Sequence, residues 1–215
     1  TISVIHDKWF NRNHGETDLR KKSISGGINT VGAQIVSFVL NIGSTVLLAR
    51  LLLPEDYGIV AMVTSFTGFV LIFKDLGLAQ AIIQKEHINQ KEVSMVFWLN
   101  FSISIVLGLI VLGLGPLLVS FYKEPRLLSI TFVYAAIALF GGASTQHSAL
   151  LNRQMKFKEL ATITVIASFV SIVMGLLLAY LNFGYWAIVS INLISAFVQA
   201  VLLWVYCDWR PSFIK

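Results

Sequence analysis

Lys74-Asp75 interrupts an otherwise apolar stretch, and no other position in this sequence poses a sharper chemical question. A charge near the centre of a bilayer costs roughly 2.5–3.5 kcal/mol, so such residues face a cavity, water or a partner. Successive residues on a helix point about 100° apart, so the pair does not simply neutralise itself and other groups must meet both charges. The opposing reading is positional. Counted from Tyr57 at ~1.5 Å per residue, Lys74 lies about 25 Å along a helix, close enough to the far boundary to snorkel. Apolar residues continuing to Ile83, with a potential break at Gly77, argue for greater depth.

Gln80, Asn100 and Gln146 also interrupt apolar runs, as do Gln34, Asn41, His147, Asn192 and Gln199. Together they could line a hydrophilic path; singly, each more often hydrogen-bonds between helices. Arg50 closes the first run, where it serves as an interface anchor or faces a cavity and attracts anionic groups. A lone histidine such as His147 is usually structural, although it is the side chain best suited to titrate near neutral pH. Signals for enzymology are absent: there is no GxSxG, HExxH, Walker A or GxGxxG sequence, and paired carboxylates such as Glu55-Asp56 sit in turns or termini. Cys207 is the single cysteine, which excludes an internal disulfide and a Cys-based metal site. No residue is assigned to catalysis, cofactor binding or metal binding.

The elements that carry these residues are membrane helices. The chain is 56% hydrophobic and 13% charged, with a mean hydropathy of +0.78, outside the range of soluble domains. Runs of roughly 20 apolar residues, the length that crosses a ~30 Å hydrocarbon core, are predicted near 29–53, 57–83, 93–119, 127–150, 160–181 and 185–206. Breaks fall at Leu53-Pro54-Glu55-Asp56-Tyr57-Gly58, Gln84 to Lys91, Tyr122 to Arg126, Asn152 to Glu159 and Asn182-Phe183-Gly184, each with turn or charge signals. The fold class is therefore an all-α membrane protein, a bundle of about six transmembrane helices. Residues 1–23 are expected as a cytoplasmic tail, 24–208 as the six-helix lobe and 209–215 as a cytoplasmic end, truncated from a longer protein. Of the 16 Lys and Arg, 12 fall on the side shared by both termini and three on the other, which places both ends in the cytoplasm. Basic residues at helix ends, not gathered in one stripe, argue against nucleic acid. The aromatic residues Trp98, Tyr122, Tyr185, Trp186, Trp204 and Tyr206 fall near span ends and read as interfacial belts.

Several stretches together resemble the polysaccharide transporter family, the Wzx-type flippases of O-antigen and exopolysaccharide. They are Leu47-Leu48-Ala49-Arg50-Leu51-Leu52-Leu53-Pro54-Glu55-Asp56-Tyr57-Gly58, Asp75-Leu76-Gly77-Leu78 and Phe97-Trp98-Leu99-Asn100. Two more follow: Phe121-Tyr122-Lys123-Glu124-Pro125-Arg126-Leu127, and the stretch from Gln146-His147 to Lys156-Phe157. The resemblance implies one lobe of a two-lobe flippase fold, with a second, C-terminal lobe as partner. It implies a lipid-embedded protein of the bacterial inner membrane that moves an undecaprenyl-diphosphate-linked oligosaccharide by alternating access, with a polysaccharide polymerase as a further partner. The transport-cavity candidates are Lys74, Asp75, Arg50, Gln80, Asn100 and Gln146, and the gating or structural positions are Pro54, Gly58, Gly77 and Arg153; of these, the resemblance carries over Arg50, Asp75, Gly77, Gln146 and Arg153 and implies structural and gating roles for most of them. The alternatives are a multidrug-type small-molecule antiporter of the same superfamily, and a membrane-embedded enzyme or assembly factor of polysaccharide synthesis.

Overall fold

The structure, a computed structural model, describes residues 16–72 and 88–212. Among the described residues there are six helices: α1 (Glu16–Leu51), α2 (Pro54–Ile72), α3 (Gln90–Tyr122), α4 (Arg126–Arg153), α5 (Phe157–Tyr180) and α6 (Trp186–Tyr206). The described turns between α1 and α2, α3 and α4, α4 and α5, and α5 and α6 are two to five residues long, which makes these consecutive helices antiparallel. Among the described residues there is no strand. Five of the helices contain spans long and apolar enough to cross a membrane; for α2, the residues after Ile72 lie outside the described set. The chain is a multi-pass membrane protein.

Its surface is apolar where that of a soluble bundle is polar. Phe38, Leu109, Leu117, Phe121, Phe132 and Leu181 stand exposed, whereas Thr67, Ser94, Asn100, Ser104, Thr131, Gln146 and His147 are buried. Lipid solvates the former as well as a protein core would, so apolar burial does not drive the helices together. Close packing and interhelical polar contacts do. Gly142 shows this at the α3–α4 contact: a Cβ there would collide with the Ser104 hydroxyl. Gly175 does the same between α5 and α6, where a Cβ would run into Ile191 and approach the Ala187 carbonyl to 3.1 Å. α3 packs along α4, α5 along α6, α1 lies on α5, and α4 meets α6, which closes the bundle.

Helix hydroxyls are satisfied locally, as when Thr67 donates to the Val63 carbonyl at 2.9 Å and Thr145 to Gly141 at 2.8 Å, so they need no partner on another helix. Apolar cores form at two levels. Val63, Val111, Leu127 and Ile130 pack at one end, and Val93, Phe97, Leu150, Leu151 and Leu203 at the other.

α1 begins at Glu16, so residues 16–23, expected as a cytoplasmic tail, are helical. After α6, residues 207–212 fold back onto the start of α3, with Cys207 and Trp209 buried.

Candidate functional site

The described candidates divide between the two ends of the bundle. Lys74, Asp75, Gly77 and Gln80 lie outside the described residues. At the end where α1 meets α2, Arg50 is exposed in the last turn of α1, Pro54 opens α2, and Gly58 is half-buried one turn on. Pro54 has no N–H to leave unsatisfied at a helix start, and Glu55 and Asp56 meet the positive end of the helix dipole. The Asp56 carboxylate accepts the Leu53 N–H at 3.1 Å, closing the turn.

Three turns converge here. Arg126, opening α4, donates to Glu55 of α2 at 2.7 Å and to Glu124 of its own turn at 2.7 Å and 2.9 Å. These bonds hold the Glu124 carboxyl below its ordinary pKa. The α5–α6 turn brings Gly184 against Asp56, with a left-handed φ of 56°. Two of the motifs singled out in the sequence, Pro54-Glu55-Asp56 and Lys123-Glu124-Pro125-Arg126, are thus one cluster in space.

Asn100 and Gln146 both lie toward the opposite end. Asn100 and Ser104 stand one turn apart on α3 and meet Gly142 of α4, and Gln146 follows Gly142 by one turn. By a rise of ~1.5 Å per residue, Gln146 lies about 10 Å from the end of α4 and Asn100 about 15 Å from the start of α3. All three polar side chains are buried, as is His147. Asn100 Nδ2, Ser104 Oγ and both amide atoms of Gln146 lack a hydrogen-bond partner among the described residues, whereas His147 meets the backbone of Ala143 and Trp209. A buried polar atom without a partner costs about 1–3 kcal/mol relative to a partnered one.

An aromatic cluster caps this part of the bundle. His147 stacks on Trp204 and meets Trp209 edge-on at 5.4 Å and Phe97 at 6.2 Å. Phe97 also contacts Trp98, Phe101, Trp204 and Trp209. The folded-back segment seals it. Trp209 Nε1 donates to Gln90 Oε1 at 2.6 Å, Gln90 Nε2 donates to the Arg210 carbonyl at 2.9 Å, and Trp98 Nε1 donates to the Ser212 carbonyl at 3.2 Å. The Ser212 N–H donates to Ser94 Oγ at 3.1 Å. Burial pushes the Cys207 thiol up to about 11, so it stays protonated at neutral pH. Arg153 is buried in the last turn of α4, on the same side of the bundle.

Sequence reasoning missed Ser104 and the folded-back segment. Among the described residues no group of three His, Cys, Asp or Glu is placed to hold a metal ion.

A family model described as "Polysaccharide biosynthesis protein" matches residues 47–214. The succinoglycan biosynthesis transport protein ExoT of Rhizobium meliloti (strain 1021) is 28% identical over 83% of this chain and 36% of its own. The teichuronic acid biosynthesis protein TuaB of Bacillus subtilis (strain 168) is 23% identical over 91% of this chain and 41% of its own. The lipopolysaccharide biosynthesis protein WzxC of Escherichia coli (strain K12) is 24% identical over 67% of this chain and 30% of its own. The chain thus spans between 30% and 41% of the length of these curated relatives. No solved structure matches it.

Proposed function

Because this chain belongs to the polysaccharide biosynthesis protein family, we propose that it is the N-terminal lobe of a flippase, which carries an undecaprenyl-diphosphate-linked oligosaccharide across the bacterial inner membrane. The observation that carries this reading is the family match over residues 47–214, on a bundle whose described turns are too short to house a catalytic domain. One of the matched relatives is itself named as a transport protein.

The chemistry of the cargo sets what the protein must do. A sugar head group and its diphosphate cannot enter hydrocarbon, so the transporter encloses them in a hydrated passage while the lipid tail remains in the bilayer. In this proposal a second lobe, supplied by further chain, forms the other wall, and both ends of the present lobe face the cytoplasm. Arg50, exposed at the α1–α2 turn, attracts the diphosphate or acidic sugars at one mouth. Lys74 does the same from within the second span, and Asp75 tunes that field or couples it to protons. Asn100 and Gln146 are buried within the lobe, so in this proposal they act through its packing and not by touching cargo. A polysaccharide polymerase receives the product on the far side.

Deleting the gene tests this in cells. Loss of surface polysaccharide, with lipid-linked oligosaccharide accumulating in the membrane and rescue by the full-length gene, is the expected result. Unchanged polysaccharide together with increased drug sensitivity would point to a small-molecule antiporter instead. Replacing Lys74 or Asp75 by Ala at normal membrane abundance should impair rescue.

A further inference from the structure

On the outside of the described bundle between α4 and α6, at the end where residues 207–212 fold back, lies an open groove of about 360 Å³. Its floor is made by the small residues Ala143 and Ala200, and one wall is a single stripe of α6, Phe197, Val201 and Val205, at four-residue spacing. The stripe spans eight residues, about 12 Å along the helix. Phe140 and Phe197, edge to face at 5.4 Å, narrow the deep end. At the mouth stand Trp204 and Arg210, and Arg210 is the one charged residue of the lining.

That arginine is held in place. Its Nη1 donates to the carbonyls of Cys207 at 2.6 Å and Trp209 at 2.8 Å, and its guanidinium lies 5.3 Å from the Trp204 ring centroid. Trp204 is fixed in turn by donating to the Ala143 carbonyl at 3.0 Å. Such a guanidinium retains free donors in a planar fork suited to phosphate, and it sits four residues beyond the end of α6, at the level of the membrane interface.

We infer that this groove binds one anionic glycerophospholipid of the surrounding bilayer, an acyl chain lying along Phe197, Val201 and Val205 with the headgroup phosphate on Arg210. Charge complementarity selects the occupant. An apolar slot alone takes any acyl chain, but an immobilised cation at its mouth favours a headgroup of net negative charge over a zwitterion. The lipid is a structural ligand of the outer face of the lobe, separate from the cargo.

Native mass spectrometry of the full-length protein, loaded with phosphatidylglycerol or phosphatidylcholine of equal chain length, tests it. The wild type should retain one phosphatidylglycerol in preference to phosphatidylcholine by about fivefold, the weight of one basic side chain against an anionic lipid. Arg210→Gln should bring that ratio to about one while phosphatidylcholine is still held. Val201→Trp, which fills the groove from an exposed position, should lose both lipids without changing the thermal midpoint. Equal retention by the wild type, or an unchanged ratio in Arg210→Gln, overturns the inference. It is also overturned if undecaprenyl phosphate displaces phosphatidylglycerol in an Arg210-dependent manner, which assigns the groove to the cargo lipid. Failure of a lipid-soluble maleimide to label Val201→Cys in a Cys207→Ser background overturns it too, because another part of the protein then covers the groove.

Discussion

The indole of Trp204 stacks on the imidazole of His147 with ring centroids 4.4 Å apart and planes inclined by 29°. The contact joins α6 to α4, and the imidazole also meets the backbone of Ala143 and Trp209. His147→Phe keeps an aromatic ring and removes only those polar contacts. It should lose about 1 kcal/mol of thermal stability in detergent. His147→Ala opens a cavity as well and should lose about 2–4 kcal/mol. Equal losses in the two variants would mean that the stacked ring itself contributes nothing.

The α3–α4 contact gives a paired prediction. Gly142→Ala drives a methyl group into the Ser104 hydroxyl, and the overpacking should cost about 1–3 kcal/mol. Ser104→Gly in the same chain frees the space and should recover most of the loss, a coupling readable from a double-mutant cycle of thermal midpoints. Additive losses would place the two residues out of contact.

Cys207 reports on the folded-back segment. The thiolate is the species that reacts with maleimide, so the buried thiol should label slowly at neutral pH in the native protein and fast after denaturation. Trp209→Ala removes the indole that binds Gln90, and labelling should then quicken severalfold without global unfolding. As pH rises from 9 to about 11, the unfolded chain gives up this proton before the folded one, so stability should decline across that window. A Cys207→Ser variant should lack this component of the pH dependence.

At the other end, Gly184 adopts a φ of 56°, and a Cβ there would stand 2.8 Å from Asp56 Oδ1. Gly184→Ala should cost about 1–2 kcal/mol in the same thermal assay. Asn182, also left-handed at a φ of 61°, should accept glycine with little change. Equal tolerance of both substitutions would show that the α5–α6 turn is not held against Asp56.

Much of this architecture was legible because membrane helices must satisfy their backbone internally and span a fixed thickness, so a break just before Pro54, which opens α2, and a turn at Asn182-Phe183-Gly184 follow from the sequence. Short turns set α3 beside α4 and α5 beside α6, whereas α1 packs on α5, which turn length does not reveal. The buried polar group was legible in part: Asn100 and Gln146 stand out as amides in apolar runs. Ser104 does not, since a helix serine normally satisfies itself on its own backbone. What places it opposite Gly142 is the register of two helices, which one sequence does not encode visibly. The folded-back segment was illegible for a related reason. Asp208, Arg210 and Pro211 read as a solvated tail, and Trp209 is buried only because Gln90 and Ser94, well over a hundred residues earlier, bind its neighbourhood. The start of α1 was obscured because Glu16 to Lys22 carries no apolar period, only charge pairs at helical spacing.

The central claim is that this lobe helps to carry a lipid-linked oligosaccharide through the bilayer. The most direct measurement reconstitutes the full-length protein in sealed vesicles whose outer leaflet holds fluorescent undecaprenyl-diphosphate-linked oligosaccharide, and follows its protection from an added membrane-impermeant quencher. The account predicts time-dependent protection that requires the protein and slows when Lys74 or Asp75 is replaced by Ala. Fluorescence that stays fully quenchable with correctly inserted, folded protein present would contradict it.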